Sequence, residues 1–112
     1  MIRGRKFGNK EMELDGIRFQ SRKEGRRYAE LRLMERAGEI SGLQTQVPFV
    51  LIPAQRDEKG RVIERAASYV ADFVYNQNGK LVVEDAKGYR TDVYRLKKKL
   101  MLKVHGIRVL ET

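Results

Sequence analysis

Glu84, Asp85 and Lys87 interrupt an otherwise apolar run in "LVVEDAKG", residues 81–88. Three charges in four residues are costly in a buried strand unless each has a partner. A further acid, Asp72, lies inside "ASYVADFVY", residues 67–75, among valines and aromatics. Between the two runs stands Asn78-Gly79, whose residues tolerate the two positive φ angles of a type I′ turn. With those two residues as the loop, Gln77 faces Lys80, paired numbers sum to 157, and Asp72 lies opposite Asp85. Directly opposed carboxylates have Cβ atoms only about 4.5–5.5 Å apart and repel each other. A divalent cation between them removes the repulsion and gains oxygen ligands. Lys87 projects from the same face, about 7 Å further along the strand. Val70 and Val74 flank Asp72 on that face and Val83 precedes Asp85, which puts the polar cluster at one end of an apolar surface. Glu84 points the other way in a regular strand, so Glu84→Gln is expected to cost little activity. A looser loop over residues 76–79 pairs Asp72 with Val83 instead and leaves the carboxylates diagonal, still within reach of one ion. An Asp85–Lys87 ion pair with Asp72 at a solvated edge accounts for one charge pair, but not for two acids in mid-strand beside valines.

The elements that hold these residues follow from periodicity and punctuation. Residues 1–15 are polar and glycine-punctuated and read as a flexible basic arm, leaving residues 16–112 as a single domain. Ser21 with Glu24 three residues later has the spacing of a capping box, and Gly38 closes the helix that it opens. Tyr28, Leu31 and Met34 share one side of that helix, with Glu24 one turn before Tyr28. Strands are predicted over 43–52, 67–75 and 80–87, with a polar turn or hairpin tip over 54–61. Thr91 caps a second helix, in which Val93, Leu96, Leu100 and Val104 form an apolar stripe of the kind that faces a core. Gly106 ends it, and residues 107–110 read as a last strand. The order α-β-β-β-α-β predicts an α/β fold, a mixed β-sheet flanked by helices.

At 112 residues the chain is long enough for one core. It has no cysteine, which excludes disulfides and thiolate metal sites and fits a reducing compartment. Its longest apolar run, residues 47–54, contains both prolines and falls far short of the roughly 20 residues of a membrane span. With no signal-peptide pattern, a soluble cytoplasmic protein is expected. The net charge of +9 is concentrated: residues 1–10 carry +4, residues 87–103 carry +6, and the remainder −1. Segregated positive charge favours a polyanion partner. His105, the one histidine, cannot make a histidine metal site and falls at a helix end, where a positive charge is favourable. Tyr89 and Tyr94 could stack on bases, although tyrosines beside a helix start more often pack inward.

Ala71-Asp72 followed by Asp85-Ala86-Lys87 resembles the PD-(D/E)xK nuclease signature, with Ala71 in place of the usual proline and Asp85 where glutamate is commoner. Glu24, on the helix before the first core strand, fits the same pattern. Within that superfamily the chain is similar to small phage-encoded nucleases and archaeal-type Holliday-junction resolvases, over residues 17–110. The resemblance implies a restriction-endonuclease-like core, dependence on Mg²⁺ with Mn²⁺ able to substitute, and phosphodiester hydrolysis. Carried over by position, Asp72 and Asp85 become metal ligands and Lys87 the catalytic lysine. Glu24 becomes the first-helix acid, acting on the metal directly or through water. Glu84 is a rival ligand to Asp85, Glu24 also has its capping role, and Glu30 is the fallback acid. Arg90, Lys97, Lys98 and Lys99, with Arg3, Arg5 and Lys6 of the arm, are expected to bind the nucleic-acid backbone without reading sequence. So short a chain has no room for a sequence-reading domain, which favours branched DNA such as a Holliday junction, in the host cytoplasm if the protein is phage-encoded. Two symmetric cuts call for a homodimer. Two other readings are a DNA-binding module without catalysis, and a nuclease of the same superfamily acting on another DNA or on RNA.

Overall fold

A computed structural model describes residues 11–86 and 90–112. Lys87 and Tyr89, and Arg3, Arg5 and Lys6 of the arm, lie outside the described residues. The first element is a hairpin of β1 (Met12–Leu14) and β2 (Ile17–Phe19), turned by Asp15 and Gly16 at φ 52° and 77°. The arm expected over residues 1–15 therefore does not extend that far, because residues 12–14 are strand. Phe19 anchors this hairpin, fully buried against Tyr28 and Phe73.

Helix α1 (Arg22–Arg36) starts where the sequence predicts, with Ser21 Oγ accepting from the Glu24 N–H at 3.2 Å. Its Tyr28 and Leu31 are buried and Met34 packs beside them, so one helix face seats on the sheet. The chain continues as β3 (Ser41–Ile52), a small hairpin of β4 (Gln55–Arg56) and β5 (Val62–Glu64), then β6 (Ala67–Gln77) and β7 (Lys80–Asp85). Helix α2 (Asp92–His105) is capped by Thr91 Oγ1 and closed by Gly106 in the left-handed region, and β8 (Leu110–Glu111) ends the fold. The main sheet has the order β3-β6-β7-β8, antiparallel except for the parallel pair β7–β8. Pro48 is tolerated because β3 is an edge strand. The helices cover opposite faces: Phe73, Tyr75 and Ala86 pack with α1, while Tyr69, Ala71, Val74 and Val83 pack with α2. The predicted α-β-β-β-α-β mixed α/β core is thus present, with two small hairpins added to it.

The hairpin register is the one read from the sequence. Asn78 and Gly79 take φ 53° and 77°, Gln77 pairs with Lys80, and Phe73 pairs with Glu84. The looser loop over 76–79 does not occur. Two expectations are corrected. The last strand begins at Leu110, later than predicted, since Ile107 and Val109 are spent on the core. Of the α2 stripe only Leu100 packs against the core: Val93, Leu96 and Val104 are 62, 57 and 49% exposed, while Tyr94 and Met101 of the neighbouring row are buried. The helix carries two apolar rows, and the one holding the aromatic and the adaptable methionine fills the space against Leu51, Tyr69 and Val109. Among the described residues, no helix is long and apolar enough to cross a membrane.

Candidate active site

Besides the register shifts between Ser41 and Gln44 and between Val50 and Ile52, regular alternation fails in the middle of the β3–β6 pair. The β3–β6 ladder pairs Thr45 with Phe73 and Val47 with Ala71, with Gln46 and Asp72 between them. Gln46 has φ 54°, a left-handed conformation that costs a side-chain-bearing residue about 1–2 kcal/mol. Beyond it the faces change over. Tyr69 and Ala71 join the α2 side while Phe73 and Tyr75 join the α1 side, although all four would share a face in a regular strand. Val70 and Val74 consequently do not flank Asp72 on one surface: Val74 is buried and Val70 is 46% exposed.

The kink points the Gln46 amide at two acids from different elements. Its Nε2 donates to Glu24 Oε2 at 2.9 Å and to Asp72 Oδ1 at 3.4 Å. The other Asp72 oxygen accepts the Ala86 backbone N–H at 2.8 Å. The β6–β7 ladder ends at Phe73–Glu84, one position before Asp72 and Asp85, and the Asp72 carboxylate takes over the Ala86 amide there. Asp72 and Asp85 are therefore neighbours at the mouth of the hairpin rather than a ladder pair, which corrects the opposed geometry expected from register alone. Glu24 serves more than its helix cap, since its carboxylate reaches across to β3.

Asp85 and Glu84 project to opposite faces, as alternation predicts. Asp85 is fully buried and accepts the Tyr69 hydroxyl at 2.6 Å. Burial first, then this hydrogen bond and the nearby charges of Asp85 and Asp72, push the Tyr69 phenol far above its ordinary range. It stays protonated and acts as a donor. Glu84, also fully buried, faces α1 and receives the Arg27 guanidinium through two bonds of 2.9 and 2.7 Å. Thr112 Oγ1 and the Tyr75 hydroxyl complete its surroundings. Burial and this contact raise Tyr75 to about 12. Glu84 is thus a structural anion between helix and sheet, and Glu30 pairs with Arg27 at the surface. The rival-ligand and fallback-acid roles leave both residues away from the Glu24–Asp72 convergence.

Sequence reasoning missed Gln46, Tyr69 and Arg27. Alternation placed Tyr69 on the face away from Asp85, and nothing in the composition marks Gln46 as left-handed. Arg27 had a signal: it lies one turn after Glu24, on a helix that must face the buried Glu84. Among the described residues, no group of three or more His, Cys, Asp or Glu side chains forms a ready-made ion cage. Two acids do converge, Glu24 and Asp72 on one amide nitrogen, and Asp85 lies on the next strand; carboxylate oxygens are hard donors that suit Mg²⁺ better than a softer metal.

Of the predicted nucleic-acid-binding residues, Arg90 and Lys98 reach the last strand. Arg90 Nε and Lys98 Nζ lie 3.0 and 3.2 Å from the two oxygens of Glu111. The Tyr94 hydroxyl donates to Glu111 as well, and it first, then Lys98 and Arg90, hold the carboxyl down at about 2. Tyr94 is buried and so packs into the core. Lys97 is half-buried and Lys99 exposed. His105 packs onto β3, its Nε2 2.7 Å from the Val50 carbonyl oxygen. No curated protein and no solved structure matches the chain. Residues 4–109, which take in both helices, the hairpin mouth and the basic segment, match the family described as "Protein of unknown function (DUF1064)", and the chain belongs to that family.

Proposed function

We propose that this protein is a metal-dependent DNA endonuclease, acting in the cytoplasm on branched substrates such as Holliday junctions. The observation that carries the reading is the approach of Glu24 and Asp72 to one amide nitrogen, beside the buried Asp85. A fold gains nothing from bringing acids of different elements together at a strained glutamine, whereas a site for a hard cation needs that arrangement. Glu24, Asp72 and Asp85 would hold Mg²⁺, or Mn²⁺ in its place. When bound, the ion supplies a water of lowered pKa and neutralises charge on the phosphoryl oxygens.

The chain's own residues do the rest. Tyr69 fixes the rotamer of Asp85 through its hydroxyl, and the Ala86 N–H does the same for Asp72. Gln46 spaces Glu24 from Asp72, holding two like charges in place before an ion arrives. Lys87, assigned from the sequence, orients the attacking water or offsets charge developing on the phosphate. Arg90, Lys97, Lys98 and Lys99, with Arg3, Arg5 and Lys6 of the arm, hold the backbone on either side. A second copy would supply the second active site for paired cuts, and the exposed row Val93, Leu96 and Val104 on α2 is an apolar surface suited to it.

The test is to incubate the protein with a four-way junction, a flap, linear duplex and single-stranded DNA, with and without Mg²⁺. Cleavage is expected with Mg²⁺ or Mn²⁺, fastest on the junction, and absent in EDTA, with Ca²⁺ supporting binding alone. Undiminished cleavage in EDTA would end the metal reading. Binding without cleavage under every metal condition would leave a non-catalytic DNA-binding module. Cutting of RNA in preference to all four DNAs would move the substrate.

A further inference from the structure

A cleft of about 450 Å³ lies between α2 and β8, lined by Arg90, Arg95, Lys98, Lys99, Arg108 and Glu111. A second hollow shares Lys98, Arg108 and Glu111 with it and continues beside Leu110, so the two make one groove along the edge strand of the sheet. Its size falls within the range of ligand sites and exceeds the needs of a single anion. Five cations line it against one carboxylate, and that carboxylate is already shared between Arg90 and Lys98. Among the described residues, Arg95 pairs only with the fully exposed Asp92, at 3.3 Å. Among the described residues, Lys99 and Arg108 have no carboxylate partner. A fold alone gives no reason for so many cations on the walls of one hollow, since like charges repel wherever water does not separate them.

The groove also leads to the candidate site. Glu111 is the parallel partner of Asp85 on the neighbouring strand, and the Thr112 N–H donates to the Asp85 carbonyl. We infer that this groove is a docking track for the sugar–phosphate backbone of a DNA strand, with Arg95, Lys99 and Arg108 gripping phosphates beyond the one that is cut, and with Glu111 standing in for a phosphate while the track is empty. The inference rests on the nucleic-acid reading above and deepens it, for neither Arg95 nor Arg108 stood out in the sequence. A continuous track fits a chain of phosphates better than a free anion. A backbone phosphate and Glu111 compete for the same Arg90 and Lys98 positive charges, so the two sides of the groove make opposite predictions. Removing a cation weakens binding, while removing the carboxylate charge strengthens it.

The experiment is fluorescence anisotropy of a labelled DNA duplex in Ca²⁺ across a salt series. Arg108→Ala, Lys99→Ala and Arg95→Ala are each expected to lower affinity about 3- to 10-fold and to reduce the slope of log affinity against log salt by about one. Glu111→Gln is expected to raise affinity about 2- to 5-fold. A purely structural role for the groove would lower affinity in both classes. Lys59→Ala, exposed at the tip of the β4–β5 hairpin and not among the groove residues, is the control and should change affinity less than 2-fold, by the weak effect of a remote exposed charge. Inorganic phosphate is titrated against the complex in parallel. Weak competition at millimolar phosphate supports a strand track, and full displacement there would reduce the groove to a free-anion site. Wild-type affinity and slope in all three cation variants would overturn the inference even if the protein cuts DNA. Altered affinity in a protein that never cuts DNA would sustain it while the nuclease reading fails.

Discussion

Glu84 and Asp72 are both buried acids on adjacent strands of one hairpin, and their surroundings differ in kind. Glu84 is met by a bidentate guanidinium and two hydroxyls, so its charge is compensated within the fold. Asp72 receives a backbone N–H and one long bond from a side-chain amide, both neutral donors. A carboxylate that has its cation built in is part of the architecture. One that is held in place by neutral groups keeps its charge uncompensated, which is what the proposed cation site requires. On the proposed reading the distinction gives Glu84 to folding and Asp72 to the cation site, although in sequence both are acids interrupting apolar strands.

The sharpest way to break that comparison is to remove the cation from Glu84. Arg27→Met should cost about 3–5 kcal/mol of stability in urea unfolding, since it strands a buried carboxylate. Adding Glu84→Gln should recover most of this. Glu84→Gln alone is no longer the harmless control that strand alternation implied, because it leaves Arg27 facing a neutral amide, and it should lose activity only as far as it unfolds. An Arg27→Met protein as stable as wild type would mean that the pair contributes nothing and that Glu84 must be reconsidered as a site residue.

A smaller effect is expected at Gln46. Gln46→Ala removes the donor between Glu24 and Asp72 while keeping the left-handed backbone, and should cost about 1 kcal/mol. Gln46→Gly removes the same donor but relieves the backbone, and should be more stable than the alanine variant by about 1 kcal/mol. Both should raise the Mg²⁺ concentration needed for half-maximal cleavage. Equal stability of the two would show that the turn at Gln46 stores no strain.

A further effect appears only in acid. Glu111 titrates at about 2 in the fold against an ordinary value of 4.5. Its lowered value means that the unfolded chain takes up the proton first. The stabilisation is complete above about 4.5 and fades as pH falls through about 2. Denaturation measured from pH 6 to pH 2 should therefore show a shallower loss of stability in Glu111→Gln than in wild type. Parallel curves would detach Glu111 from Tyr94, Lys98 and Arg90.

Much of this was legible beforehand, for identifiable reasons. Asn78-Gly79 fixed the register because both residues had to accept positive φ, and that register set Glu84 and Asp85 on opposite faces. Asp15-Gly16 offers the same signal at the first hairpin but was hidden in a stretch that reads as a polar arm. The α2 row was misread because periodicity finds apolar stripes without saying which of two the sheet will take. The change of faces at Gln46 was not legible, since a left-handed glutamine has no propensity signature and is imposed by tertiary packing. That one residue is why Tyr69 reaches Asp85 and why Asp72 leaves the ladder.

The central claim is that Asp72 belongs to a cation site, and the most direct measurement is calorimetric titration of Mg²⁺ into wild type and Asp72→Asn, with cleavage followed on the same samples. The wild-type protein should bind Mg²⁺ saturably and cut DNA. Asp72→Asn should show neither, while its metal-free form unfolds at the same denaturant concentration or slightly higher, because repulsion from Glu24 is relieved. An Asp72→Asn protein that binds Mg²⁺ with wild-type affinity and still cuts DNA would contradict the account.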